Sequence, residues 1–244
     1  MRTRMSPRFR YFATKVGQNR FLKCMLQPIY NRYNQRLKDR RNHLFRKNGV
    51  DVLQSFDILM NRLGINYSIF AGTLLGAIRE KGFLKHDVDI DTVIFNDDYS
   101  SKINNALINN GFRLLHRYLV DDGKRGREET YEKDGVSIDI FYIYSDARFP
   151  TYQCDFHGVE GSSSHEDSMK RFGYVATRRI EFPVSRETVR VPFEGIMVNS
   201  IANAQEWLTY RYGKDYLIPN PSFYDRGDNP HMFEWTEVKA VMRY

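Results

Sequence analysis

Four acidic side chains interrupt stretches that would otherwise be continuous strand. In His86-Asp87-Val88-Asp89-Ile90-Asp91-Thr92-Val93-Ile94-Phe95, three carboxylates recur at every second position. Side chains alternate across a strand, so the three acids share one face while Val88, Ile90, Val93 and Phe95 supply a core. Carboxylates stacked this closely repel one another unless a cation lies among them, and hard oxygen donors suit Mg2+ or Mn2+. Asp89 and Asp91 are the stronger pair, being flanked by apolar residues of the strand proper; Asp87 could instead orient a ligand or cap the strand. The fourth acid, Asp139, sits alone in Val136-Ser137-Ile138-Asp139-Ile140-Phe141. A solitary carboxylate in such a strand is costly unless it is paired, solvated or metal-bound. By itself it reads equally well as an exposed edge-strand acid.

The elements that must position these acids can be traced upstream. Val52, Leu53, Phe56, Leu59, Met60 and Leu63 follow a helical period that stops at Gly64, and Ile65 to Ala71 reads as the first core strand. A turn at Gly72-Thr73 then leads into a short helix carrying Leu74, Leu75, Ala77 and Ile78. Gly72 permits a backbone that a side chain would hinder, and Thr73 can cap the helix or offer its hydroxyl and amide to a phosphate. Arg79, Lys81 and Lys85 lie between this turn and the acidic run and could neutralise a diphosphate, although most surface cations have no such duty. His86 reads as hydrogen-bonding support rather than a ligand.

The pairing of Ala71-Gly72-Thr73-Leu74-Leu75-Gly76-Ala77-Ile78-Arg79 with His86-Asp87-Val88-Asp89-Ile90-Asp91 resembles the signature of the LicD family. That family includes phosphocholine transferases of bacterial surface polysaccharides and the fukutin-related ribitol-phosphate transferases, within the nucleotidyltransferase superfamily. The resemblance covers roughly residues 56 to 216, and Lys85-His86 stands where family members often have Pro-Trp. It implies an α/β (α+β) nucleotidyltransferase-like mixed sheet with flanking helices. It implies a metal site of Asp87, Asp89, Asp91 and Asp139, the last matched by the family's Asp-Ile-Phe element. Asp89, Asp91 and Asp139 become the catalytic set, with Gly72, Thr73, Arg79 and Lys85 toward the substrate. The reaction implied is transfer of phosphocholine or an alditol phosphate from a CDP-linked donor to a hydroxyl on a glycan or lipid-linked sugar, with CMP leaving. Two rivals remain: transfer of NMP from an NTP to a small acceptor, and a non-catalytic protein that binds a membrane or an acidic polymer.

Charge divides the chain into two parts. Residues 1 to 48 hold 14 Lys and Arg against a single acid, Asp39, while the remainder holds 23 basic and 29 acidic residues. We therefore expect a basic arm over 1–48 and a catalytic domain over 49–244. Within the arm Leu22, Leu26, Ile29, Tyr33 and Leu37 recur at helical spacing around a kink at Pro28. A basic amphipathic segment suits an anionic membrane surface, and it suits equally a helix packed on the domain with a solvated basic face. Nucleic acid ranks third, with no recognition motif accompanying the charge. Only Cys24 and Cys154 are present, which fits a reducing compartment, and no apolar run spans a bilayer. The expectation is a cytoplasmic protein that can sit on the inner face of the plasma membrane.

The rest of the chain is read more coarsely. Residues 97 to 111 form an amphipathic helix, 112 to 120 and 130 to 136 a hairpin across a turn at 121–126, and 145 to 176 an irregular polar stretch. Cys154, His157 and His165 in that stretch lack the ligand spacing of a zinc site. Strands near 180–184, 189–193 and 196–198 precede a helix over 200–212, whose Tyr-Gly tail also resembles the family.

Overall fold

The computed structural model describes residues 20–145, 151–219 and 232–244, the side chains of 20–30 and 232 excepted. A 44-residue helix, α1 (Arg20–Leu63), opens it, followed by β1 (Tyr67–Ile69), α2 (Ala71–Arg79) and β2 (Asp89–Phe95). Helix α3 (Ser101–Asn109) leads to β3 (Arg113–Val120), β4 (Gly126–Lys133) and β5 (Val136–Tyr144). Then come β6 (Tyr152–His157), α4 (His165–Phe172), β7 (Ala176–Glu181), β8 (Thr188–Phe193), β9 (Ile196–Ile201), α5 (Ala204–Tyr212), β10 (Met232–Glu234) and β11 (Ala240–Arg243). The fold is the mixed α+β sheet with flanking helices that the sequence indicated.

The sheet runs β10-β7-β6-β5-β2-β1-β9-β8, and a branch β11-β3-β4 joins it at β5. Strand β5 is the hub. The whole length of β2 lies parallel to it, from Asp89 opposite Ser137 to Phe95 opposite Ile143. On its other edge β5 is antiparallel first to β4 and then, at Ile143 and Tyr144, to β6.

Alternation assigns the two faces. Tyr67 and Ile69 of β1, Ile90, Thr92 and Ile94 of β2, and Ile138, Ile140 and Tyr142 of β5 share one buried face. Helix α1 covers it with Val52, Leu53, Phe56 and Met60, Phe56 meeting the Tyr67 ring edge-on at 5.1 Å. The opposite face carries Asp89, Asp91 and Asp139, beside an aromatic cluster in which Phe70 packs on Trp207 at 4.3 Å and on Phe182 at 5.8 Å.

Helix α1 runs without a break across the 48/49 division expected from charge, and Phe45, on the arm side, is only 1% exposed in the core. The end of the arm is thus packed on the domain. Of the expected stripe, the side chains of Leu22, Leu26 and Ile29 lie outside the described residues, Tyr33 is 40% exposed and Leu37 is half-buried. The stretch read as irregular contains two regular elements, β6 and α4. The latter is capped by Ser164, whose side chain accepts from Asp167 N, and ends at Gly173 in the left-handed conformation.

Candidate active site

Asp91 is fixed by Phe70 and the first turn of α2. The Phe70 amide donates to Asp91 O at 2.9 Å, the Asp91 amide donates to Thr73 Oγ1 at 2.9 Å, and the Gly72 amide donates to Asp91 Oδ2 at 3.0 Å. The helix begins at Ala71 with Phe70 in the capping position and no side-chain cap, so Thr73 spends its hydroxyl on β2 instead of capping, and is buried. Ala71 holds a φ of 40°, a strained value for a residue with a side chain. Gly72 is needed for its size: a Cβ there would lie 3.2 Å from Asp91 Oδ2 and 3.7 Å from Asp87 Oδ1. Two carboxylates therefore flank one small cradle.

The parallel register sets Asp139 directly opposite Asp91. Asp139 is oriented from β4, where Thr130 donates its hydroxyl to Oδ1 at 2.6 Å, and Thr130 Oγ1 lies 3.2 Å from Nε2 of His116 on β3. A hydroxyl has one proton, so with Thr130 donating to the carboxylate, His116 Nε2 must carry the hydrogen of that second bond. Three adjacent strands thus contribute to the aim of one acid.

Asp87 and Asp89 complete the group from the rim. Leu84 N donates to Asp87 Oδ2 at 2.7 Å, and Asp89 Oδ2 accepts from Nη2 of Arg41 at 3.0 Å. Burial raises the Asp87 carboxyl from its usual 3.8 to about 6, the bond from Leu84 N and the nearby His86 opposing the shift. Asp91 is pushed well above the usual carboxylate range, first by desolvation and then by the charges of Asp89 and Asp139.

The family model described as "LicD/FKTN/FKRP, nucleotidyltransferase domain" matches residues 64–200, from the end of α1 to β9. The chain belongs to this family. It is similar to "Ribitol-5-phosphate transferase FKTN" of Homo sapiens, 26% identical over 240 residues, covering 93% of this chain and 48% of that protein. The Mus musculus protein of the same name is 26% identical over 239 residues, with the same coverage of 93% and 48%. "Lipopolysaccharide cholinephosphotransferase LicD" of Haemophilus influenzae is 46% identical over 50 residues, 20% of this chain and 19% of that protein. The chain spans about half the length of the FKTN proteins.

Within this LicD/FKTN/FKRP chain the donor set suits Mg2+ or Mn2+. Asp87, Asp89, Asp91 and Asp139 offer only hard oxygens, and a cation among them would remove the repulsion that lifts Asp91. Among the described residues no three His, Cys, Asp or Glu side chains are already arranged as a metal-binding set. Each of the four acids has at least one oxygen held by the protein, at Leu84 N, Arg41, Gly72 N or Thr130.

Of the cations expected near the substrate, Arg79 lies 3.9 Å from Glu80 with a side chain 11% exposed, and Lys85 is exposed. Cys154 is buried in β6 with its thiol pushed up to about 12 by desolvation, unsuited to act as a nucleophile. Glu128, Asp155, His116, Thr130 and Arg41 lie outside the set that the motifs single out. Glu128 shares the carboxylate face of the sheet with Thr130, and its carboxyl is raised well above the usual range by desolvation and by Asp139, Asp155 and Asp91. A signal for it existed. In Arg127-Glu128-Glu129-Thr130-Tyr131 the acids fall on alternate faces, Glu129 being buried beside Arg127 at 3.1 Å, and β4 begins at Gly126 rather than at Thr130.

Proposed function

We propose that this chain transfers a phospho-linked group, phosphocholine or an alditol phosphate, from a CDP-activated donor to a hydroxyl of a cell-surface glycan or lipid-linked sugar, releasing CMP. The observation that carries this reading is the β2–β5 register that places Asp91 opposite Asp139. Membership of the LicD/FKTN/FKRP family, and relatives named for transfer of ribitol 5-phosphate and phosphocholine, support the reaction class.

Bound by Asp87, Asp89, Asp91 and Asp139, Mg2+ or Mn2+ would neutralise charge on the donor's phosphate oxygens. The remaining work falls to the chain. Asp91, held by the first turn of α2, needs no reorganisation to present its carboxylate. Gly72 leaves room for close approach of the phosphate, and Arg79 and Lys85 supply positive charge along its path. Asp139, aimed by Thr130, takes the proton of the acceptor hydroxyl as the new phosphorus–oxygen bond forms and the bond to CMP breaks. The exposed Arg32, Arg36, Lys38 and Arg40 of α1 would hold the enzyme at an anionic membrane where a lipid-linked acceptor resides.

The test incubates the full-length protein with CDP-choline, CDP-ribitol, CDP-glycerol or NTPs, with glycan acceptors and Mg2+, and measures CMP and pyrophosphate. Mg2+-dependent CMP with a phospho-modified sugar is expected. Pyrophosphate with a nucleotidylated acceptor would replace this reading by nucleotidyl transfer, and no product from any donor would remove it.

A further inference from the structure

We infer that Arg41, delivered by the N-terminal helix, is a donor-binding residue that grips the diphosphate of the nucleotide-linked substrate; this deepens the transfer reaction proposed above and rests on it. Arg41 lies outside the span matched by the family model, residues 64–200. Its Nη2 donates to Asp89 Oδ2 at 3.0 Å and its Nε donates to Val88 O at 3.3 Å, so a guanidinium stands on the acidic cluster itself.

That placement is imposed by packing. One turn further along α1, Phe45 is buried against Phe83, ring centroids 4.6 Å apart and edge to face. At the next turn Gly49 closes on the same ring, where a Cβ would lie 3.1 Å from the Phe83 ring edge. Between them Arg46 donates to Leu84 O. Three consecutive contacts thus dock α1 along the segment from Phe83 to Asp89, and the docking carries Arg41 to the site.

The chemistry of the pair suits exchange. The side chains of Arg41 and Asp89 are 47% and 39% exposed, and an ion pair so open contributes little to stability and parts readily. Asp87, Asp89, Asp91, Asp139 and Glu128 together repel a diphosphate, so a donor entering this face needs cations from its rim. A guanidinium presents a planar fork of donors matched to phosphate oxygens. With the donor bound, that fork moves from Asp89 to the phosphate, which would leave Asp89 Oδ2 free to help hold a divalent cation.

The experiment compares full-length wild type, Arg41→Gln and Arg41→Lys by calorimetric binding of CDP, which needs no turnover, by donor KM and kcat, and by thermal unfolding. We expect Arg41→Gln to weaken CDP binding and raise donor KM about tenfold or more, with kcat at saturating donor within about threefold and an unchanged melting temperature. Arg41→Lys should recover part of the affinity through its point charge. CDP binding in Arg41→Gln within twofold of wild type would overturn the assignment. So would a loss of binding that tracks a lowered melting temperature and is not relieved in Arg41→Lys. Wild type that fails to bind CDP would remove the transfer reading as well, which distinguishes the two failures.

Discussion

The seam between β2 and β5 and the N-terminal helix reach the same acidic cluster by opposite physical routes. At the seam, strand alternation and one register fix Asp89, Asp91 and Asp139, the Gly72 amide holding the Asp91 carboxylate and the Thr130 hydroxyl that of Asp139. The helix contributes through a few long-range contacts of Phe45, Gly49 and Arg41, separated from their partners by some forty residues of chain. Each half of the seam is written in a local alternation, although its register joins strands as far apart in sequence as Asp91 and Asp139. The helix covers the sheet core from Val52 to Met60 and straps Arg41 to the cluster through the turns upstream of that cover, and that difference orders the experiments.

The largest effect belongs to the seam. Asp91→Asn and Asp139→Asn should each lower turnover on the order of 10³-fold, since each removes charge aimed at the reacting phosphate. Melting temperature should hold or rise, because one of several mutually repelling acids has gone. Steady-state rates beside thermal unfolding check this, and a large loss of stability in either variant would make the seam structural.

The strap should respond in the reverse sense. Phe45→Ala empties a fully buried site and should cost about 3–5 kcal/mol, measured by denaturant unfolding. Deleting residues 1–38 stops short of Arg41 and Phe45 and should leave stability nearly unchanged while releasing the protein from anionic vesicles in a salt-dependent way. A truncation that unfolds the domain would show that the exposed basic turns are packed after all.

The same contrast explains what the sequence made legible. Alternating Asp and apolar residues at 87–95 announce a strand with an acidic face, and Gly64 marks the end of α1, because both are local signals. The turn was legible too, with the helix starting at Ala71 and capped by Phe70, three residues earlier than Leu74 and Thr73, because the Thr73 hydroxyl serves β2 rather than a cap. Glu128 and the His116–Thr130 support of Asp139 depend on which strand lies next to β5 and in what register, information spread over the whole sheet. Strand β6 was hidden by the polar residues around it, although Tyr152, Cys154 and Phe156 alternate inward. Arg41 gave no local sign at all; it is one of 14 cations in the arm and is singled out only by where Phe45 docks.

A finer test uses protons as the probe of the seam, in the absence of divalent ions. Asp87 holds its proton in the folded state up to about 6, whereas in the unfolded chain it releases it near 3.8. Between those values the folded state binds more protons, so stability is greatest below the lower value and falls as pH rises through the upper one. A shift of this size corresponds to at most about 3 kcal/mol, and Asp91 and Glu128 act in the same direction. Asp87→Asn should flatten this decline while keeping the bond from Leu84 N, since the amide oxygen can still accept it. Millimolar Mg2+ should flatten it in the wild type, and the flattening should be weaker in Asp89→Asn and Asp91→Asn. Unfolding free energies measured from pH 4 to 8 with and without Mg2+ decide the matter. Stability that rises across this range without metal would mean that the acids are already compensated by protein cations, and Arg41 at the rim is then the group whose substitution should restore the decline.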